Sequence, residues 1–177
     1  MPTIDHCTGC PYREFGPAIG TRGDPASRIV IVGEAPGATE ITKGEPFRGP
    51  AGGVLNEALR EADLDEGHVF ITNAVACQPH PVRPRVAAIV ACRERLLRDM
   101  DAHPRGVIVA LGLTAVRAVT GQRGFRMMDA HGEELTSIWG PVVPTLHPAR
   151  VLRRPKERDL LVEDLRHARQ LAFGLGA

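Results

Sequence analysis

The chain has 177 residues, 43% of them hydrophobic, and a formal net charge of +1. That length supports one well-buried core, so a single domain over residues 1–177 is expected, and the near-neutral charge excludes a binder that holds nucleic acid by global charge. No run approaches the roughly 20 apolar residues that span a bilayer, and no N-terminal stretch has the form of a signal peptide, which excludes membrane classes and points to the cytoplasm.

In chain order the first feature is Cys7-Thr8-Gly9-Cys10, followed far downstream by the single cysteines Cys77 and Cys92. Disulfides are uncommon in the cytosol, so the four cysteines read as metal ligands, a redox pair or small buried hydrophobes. The close pair has little around it to bury against, which favours ligation. One pair plus two singles suits an iron-sulfur cluster better than zinc, whose structural sites usually take two pairs. Cys92 also fits a plain core role, because Val90, Ala91 and Leu96 form an apolar helical face with it.

Short β-branched runs at Arg28–Val32, Val69–Thr72 and Gly106–Leu111 read as buried parallel strands, with a fourth, short strand at Val142–Thr145. Helical patterns fill the intervals at 51–62, 85–102 and 114–120, and a closing helix runs from about Glu157 to Phe173. Residues 123–139 read as a loop with a weak strand pair. Strand and helix alternate, which predicts a three-layer α/β/α sandwich around a mostly parallel four-stranded sheet.

Ligands of open parallel sheets bind beyond the carboxyl ends of the strands. After the first strand comes Gly33-Glu34-Ala35-Pro36-Gly37, whose glycines permit unusual backbone angles and let amides point into a cleft. Asn73 follows the second strand, and His147-Pro148 follows the last, in a loop. Singly, Asn73 reads equally as a turn cap and His147 as a surface histidine. Gathered at one sheet edge, they form a site able to grip a planar polar group.

These residues, with Glu40, Pro46-Phe47-Arg48-Gly49-Pro50-Ala51-Gly52, Ala110-Leu111-Gly112, His147-Pro148-Ala149 and the four cysteines, resemble the family 4 uracil-DNA glycosylases in order and spacing. The resemblance runs from Cys7 to about Pro155. It implies a [4Fe-4S] cluster on Cys7, Cys10, Cys77 and Cys92, and excision of uracil from DNA by cleavage of the N-glycosidic bond. It also implies that Phe47 stacks on the flipped base, that Asn73 reads the N3 and O4 edge, and that His147 and the amides after Gly33 stabilise charge on the leaving uracil. Ala35 stands where other uracil glycosylases carry a water-orienting Asp, and family 4 shares that substitution. Glu34 is then the first candidate to orient the water and Glu40 the second, with Glu40 alternatively lining the pocket where a thymine methyl would fall.

The segment Ala149–Pro155 resembles the family's DNA-intercalating loop, with Val151 or Leu152 as an apolar wedge and Arg150, Arg153 and Arg154 on phosphates. Uracil-containing DNA, single- or double-stranded, is the implied partner, met by a monomer; no residue pattern assigns a sliding-clamp contact. Two departures are visible: Gln78–Pro84 replaces an Arg-Pro-Pro-x-Asn-Arg-like stretch, and Arg48 stands where valine is common. A covalently attaching relative of the same superfamily, with His80 as its candidate residue, ranks below the hydrolase. A catalytically inactive iron-sulfur or zinc DNA-binding protein and an electron carrier are the remaining alternatives, and neither needs a base pocket.

Overall fold

The structure is a computed structural model that describes residues 10, 12, 17–79, 84, 86–102, 106–122, 124 and 126–174. Its sheet has six strands, β1 (Arg22–Gly23), β2 (Ile29–Gly33), β3 (Phe70–Asn73), β4 (Val107–Leu111), β5 (Leu135–Ser137) and β6 (Gly140–Thr145), in the order β1-β3-β2-β4-β6-β5. The four expected strands are the central ones and are mutually parallel. Two antiparallel edge strands extend the expected count of four to six. β1, only Arg-Gly, was not visible in the pattern, while β5, only Leu-Thr-Ser, falls in the stretch that read as a loop with a weak strand pair.

Seven helices accompany the sheet among the described residues: α1 (Ala38–Lys43), α2 (Pro50–Glu61), α3 (Val86–Asp101), α4 (Leu113–Thr120), α5 (Met127–Ala130), α6 (Pro148–Arg153) and α7 (Arg158–Phe173). Strand side chains alternate between two faces, and the core divides accordingly. Ile29, Ile31, Val107 and Val109 pack with Leu55 and Leu59 of α2 and Leu161 and Leu165 of α7. Val30, Val32, Ile108 and Ala110 pack on the other face with Leu96 and Met100 of α3 and Val116 and Val119 of α4. Each such side chain removed from water contributes about 1.5–3 kcal/mol, which is why a β-branched run buried on both faces fixes the sheet.

The short helices α5 and α6 lie in stretches where no helix was expected. Residues 123–139 contain α5 and the strand β5, which pairs with β6 as the weak strand pair expected there, and His147 lies in the loop after β6, as the N-cap of α6. Proline at the first position of α6 costs nothing there, because the first amides of a helix have no intrahelical acceptor. Among the described residues no helix is long and apolar enough to cross a membrane.

The chain leaves β2 for β3 on one side and then returns past it to β4 on the other. That reversal opens a crevice at the carboxyl ends of these strands, where open α/β sheets bind their ligands.

Candidate active site

Gly33 ends β2 beside Asn73, its register partner at the end of β3. Pairing continues one step further, with the Ala74 and Val75 amides donating to the Gly33 and Glu34 carbonyls at 2.9 and 3.0 Å. A Cβ on Gly33 would lie 2.3 Å from Asn73 Oδ1 and 2.6 Å from the Phe47 ring. The glycine is therefore a steric requirement. The expectation of unusual backbone angles at Gly33 and Gly37 is corrected, since neither has a positive φ and Gly37 is extended at φ −92°, ψ −177°.

Phe47 is held beside this strand end by its own loop. It is buried and adopts φ 55°, a left-handed conformation that costs a non-glycine residue about 1–3 kcal/mol. Gly52 of α2 makes the fit possible, because a Cβ there would stand 1.8 Å from the Phe47 carbonyl oxygen. Glu40 braces the same loop, accepting from the Gly37 amide at 3.0 Å and the Gly49 amide at 2.7 Å. Both its oxygens are engaged, so Glu40 ties α1 to the start of α2.

His147 faces Phe47 across the site, with ring centroids 5.8 Å apart and planes tilted by 32°. It caps α6 through Nδ1, which accepts from the Ala149 amide at 3.1 Å. An accepting Nδ1 leaves the proton of the neutral ring on Nε2. Burial pushes the imidazole below its ordinary pKa, against the upward pull of Glu34 and Glu40 and with a further downward push from Arg153. The ring is thus a neutral donor at neutral pH.

Phe47, Asn73 and His147 line one cavity of about 240 Å³ together with Glu34, Ala35, Pro36, Gly37 and Glu40. Asn73 is 3% exposed, and its Oδ1 has no hydrogen-bond partner in the protein. A buried acceptor without a partner costs about 1–3 kcal/mol, and this one belongs to a residue that lines the cavity. Glu34 accepts from the Thr114 hydroxyl at 2.6 Å, which anchors its carboxylate to the first turn of α4.

A second, shallower groove of about 690 Å³ shares Glu34, His147 and Ala149 with the cavity and carries Arg117, Arg150, Arg153 and Arg154. Arg150 is already held by Glu157, at 2.5 and 2.8 Å, and Arg154 reaches the same carboxylate at 3.3 Å. Val151 is 2% exposed and packs in the core, so it is not a surface wedge; Leu152, 49% exposed, is the apolar side chain that α6 presents. Burying one face of a short helix distinguishes these neighbours by exposure, which the sequence left open.

Cys77 and Cys92 are buried in a small cluster with Tyr12 and Ala88, and Cys10 packs against it. Cys7 and His80 lie outside the described residues. Among the described residues no three His, Cys, Asp or Glu side chains form a ready metal-binding group. Cys10, Cys77 and Cys92 are nevertheless drawn from distant chain segments into one packed cluster. Arg48 turns away from the cavity, pairing with Glu45 at 2.7 Å and Glu66 at 3.2 Å.

Sequence reasoning missed Thr114 and Arg117, although they follow β4 as the other site residues follow their strands. It also missed the buried Arg22 and Arg95 behind the cavity.

A small cavity closed by an aromatic ring, an amide and an imidazole, opening beside an arginine-lined groove, defines a base-recognising α/β enzyme of the DNA glycosylase class. Residues 21–169 match the uracil DNA glycosylase superfamily, and the chain belongs to that superfamily, on its type-4 branch. It is 35% identical over 171 residues to the type-4 uracil-DNA glycosylase of Pyrobaculum aerophilum, covering 92% of this chain and 87% of the relative. The type-4 uracil-DNA glycosylase of Thermotoga maritima is 36% identical over 172 residues, covering 94% and 89%. By contrast, the type-5 uracil-DNA glycosylase of Thermus thermophilus is 34% identical over 119 residues, covering 59% of this chain and 54% of the relative.

Proposed function

We propose that this chain flips uracil out of DNA and hydrolyses its N-glycosidic bond, leaving an abasic site. The observation that carries the reading is the buried, unpartnered Asn73 Oδ1 facing the same cavity as the Phe47 ring and the His147 imidazole. Extrusion of the base costs a few kcal/mol, and Phe47 offsets part of it by stacking. Asn73 accepts from uracil N3–H through Oδ1 and donates to O4 through its amide nitrogen. Cytosine presents an acceptor and an amine in their place, which leaves buried groups unpaired.

As the bond breaks, charge gathers on N1 and O2 of the leaving base. His147 donates to it from Nε2. The amides of Glu34 and Ala35 complete the donor set, since Pro36 has no N–H and the Gly37 amide is engaged by Glu40. Each such donor is worth about 3–4 kcal/mol in comparable sites. Glu34 orients the water, because the Ala35 side chain has no polar atom and both Glu40 oxygens are occupied.

Leu152 fills the gap left by the base, while Arg153, Arg154 and Arg117 meet phosphates. Cys7, Cys10, Cys77 and Cys92 hold a [4Fe-4S] cluster. When bound, it supplies thiolate cross-links among distant chain segments. The protein acts in the cytoplasm as a monomeric, single-domain repair enzyme on single- or double-stranded DNA.

An oligonucleotide carrying one uracil tests the reading: alkali-dependent cleavage with free protein is the expected result. A heat-stable protein–DNA adduct, or no reaction, would overturn it.

A further inference from the structure

Two arginines are buried behind the base cavity, and each donates to the main-chain carbonyl of a residue that grips the base. Arg22, 6% exposed on the edge strand β1, donates from Nη1 to the Phe47 carbonyl at 3.3 Å and from Nη2 to Asn56 Oδ1 at 3.0 Å. Its charge is met by Glu66 at 3.2 Å. Arg95, 8% exposed on α3, donates from Nη2 to the Asn73 carbonyl and from Nη1 to the Thr72 hydroxyl at 3.0 Å. Asp99, one turn along, accepts from both Arg95 Nη1 and the Thr72 hydroxyl, the latter at 2.9 Å. A fork of rigid donors suits this task, because it fixes a carbonyl in direction as well as in place.

The need for such fixing is specific to these two positions. Phe47 sits at φ 55°, which the backbone does not hold unaided. Asn73 is the last residue of β3, where the ladder to β2 ends. A glycosidic site loses rate when its groups are displaced by about 1 Å, so backbone placement at these residues is a kinetic quantity.

We propose that Arg22 and Arg95 are positioning residues for base recognition, acting through Phe47 and Asn73 respectively. The proposal rests on the reading of the cavity as a uracil site. Its test is a pair of double-mutant cycles, Arg95→Lys with Asn73→Ala and Arg22→Lys with Phe47→Ala, read by single-turnover uracil release, DNA affinity and thermal melting. Each lysine variant should melt within a few degrees of the parent, bind DNA within about twofold and release uracil at least fivefold more slowly. On the alanine backgrounds the same lysine substitution should change the rate less than twofold. Equal losses on both backgrounds, an undiminished rate, or failure of the lysine variants to fold would overturn the proposal. An inactive parent would instead overturn the uracil reading, and the cycles would then be read by preference for uracil-containing over uracil-free oligonucleotide, with the same criterion of non-additivity.

Discussion

His147 combines two positions in one ring, since Nδ1 caps α6 and the neutral ring, which carries its proton on Nε2, lines the cavity. His147→Asn separates them: asparagine is a good cap, so melting should change little, while uracil release falls at least tenfold, about 1.4 kcal/mol. His147→Ala should lose both. The depressed pKa has a sign that can be read in stability. As pH falls through about 6.5 the unfolded chain takes up a proton that the folded ring refuses, so this stabilisation is present above that pH and is lost progressively below it. His147→Asn should therefore show a shallower loss of melting temperature between pH 7 and 5 than the parent, and the parent's rate should show no step near pH 6.5. Gly33→Ala tests the floor of the cavity. Its methyl must push the Asn73 amide and the Phe47 ring aside, so a folded variant with at least a tenfold slower rate is expected in a single-turnover assay.

At the scale of elements, the short helix α6 and the turn that follows it decide how the chain meets DNA. Glu157 holds Arg150 and Arg154, and Arg150's hydrogen bonds carry the Glu157 carboxyl down to about 2. That interaction is complete above the ordinary carboxylate range and disappears as pH falls toward 2. Glu157→Gln frees both guanidinium groups for phosphates, so DNA should bind more tightly and the slope of log affinity against log salt should steepen by about one for each new phosphate contact, up to about two, measured by titration at several salt concentrations. The four central strands and four longer helices were legible because β-branched runs and a 3.6-residue period survive in the sequence when burial is extensive. Edge strands and one-turn helices leave no such period. Asn73, Phe47 and His147 were legible by their positions and motif, whereas Arg22 and Arg95 were not, because an arginine reads as solvated until the fold buries it.

For the whole molecule, the near-neutral net charge conceals a divided surface, with arginines gathered on the groove beside the cavity. The cysteine-bearing cluster shares α3 with the second core face, since Cys92 belongs to the one and Leu96 to the other, and Ile89 packs against both. Cys77→Ser should lower iron per chain and melting temperature more than it lowers the rate of the fraction that remains folded, checked by iron assay, melting and single-turnover kinetics. One more consequence follows from His147 being the N-cap of α6. If Leu152 enters the duplex, it does so as part of a rigid rod whose other end carries the imidazole, about one and a half turns away. Search and chemistry then share a single latch: the rod seats fully only where a nucleotide has left the stack, and seating it brings the proton donor to the vacated base. Undamaged DNA, which keeps its bases stacked, would leave that latch unset at every step of the scan.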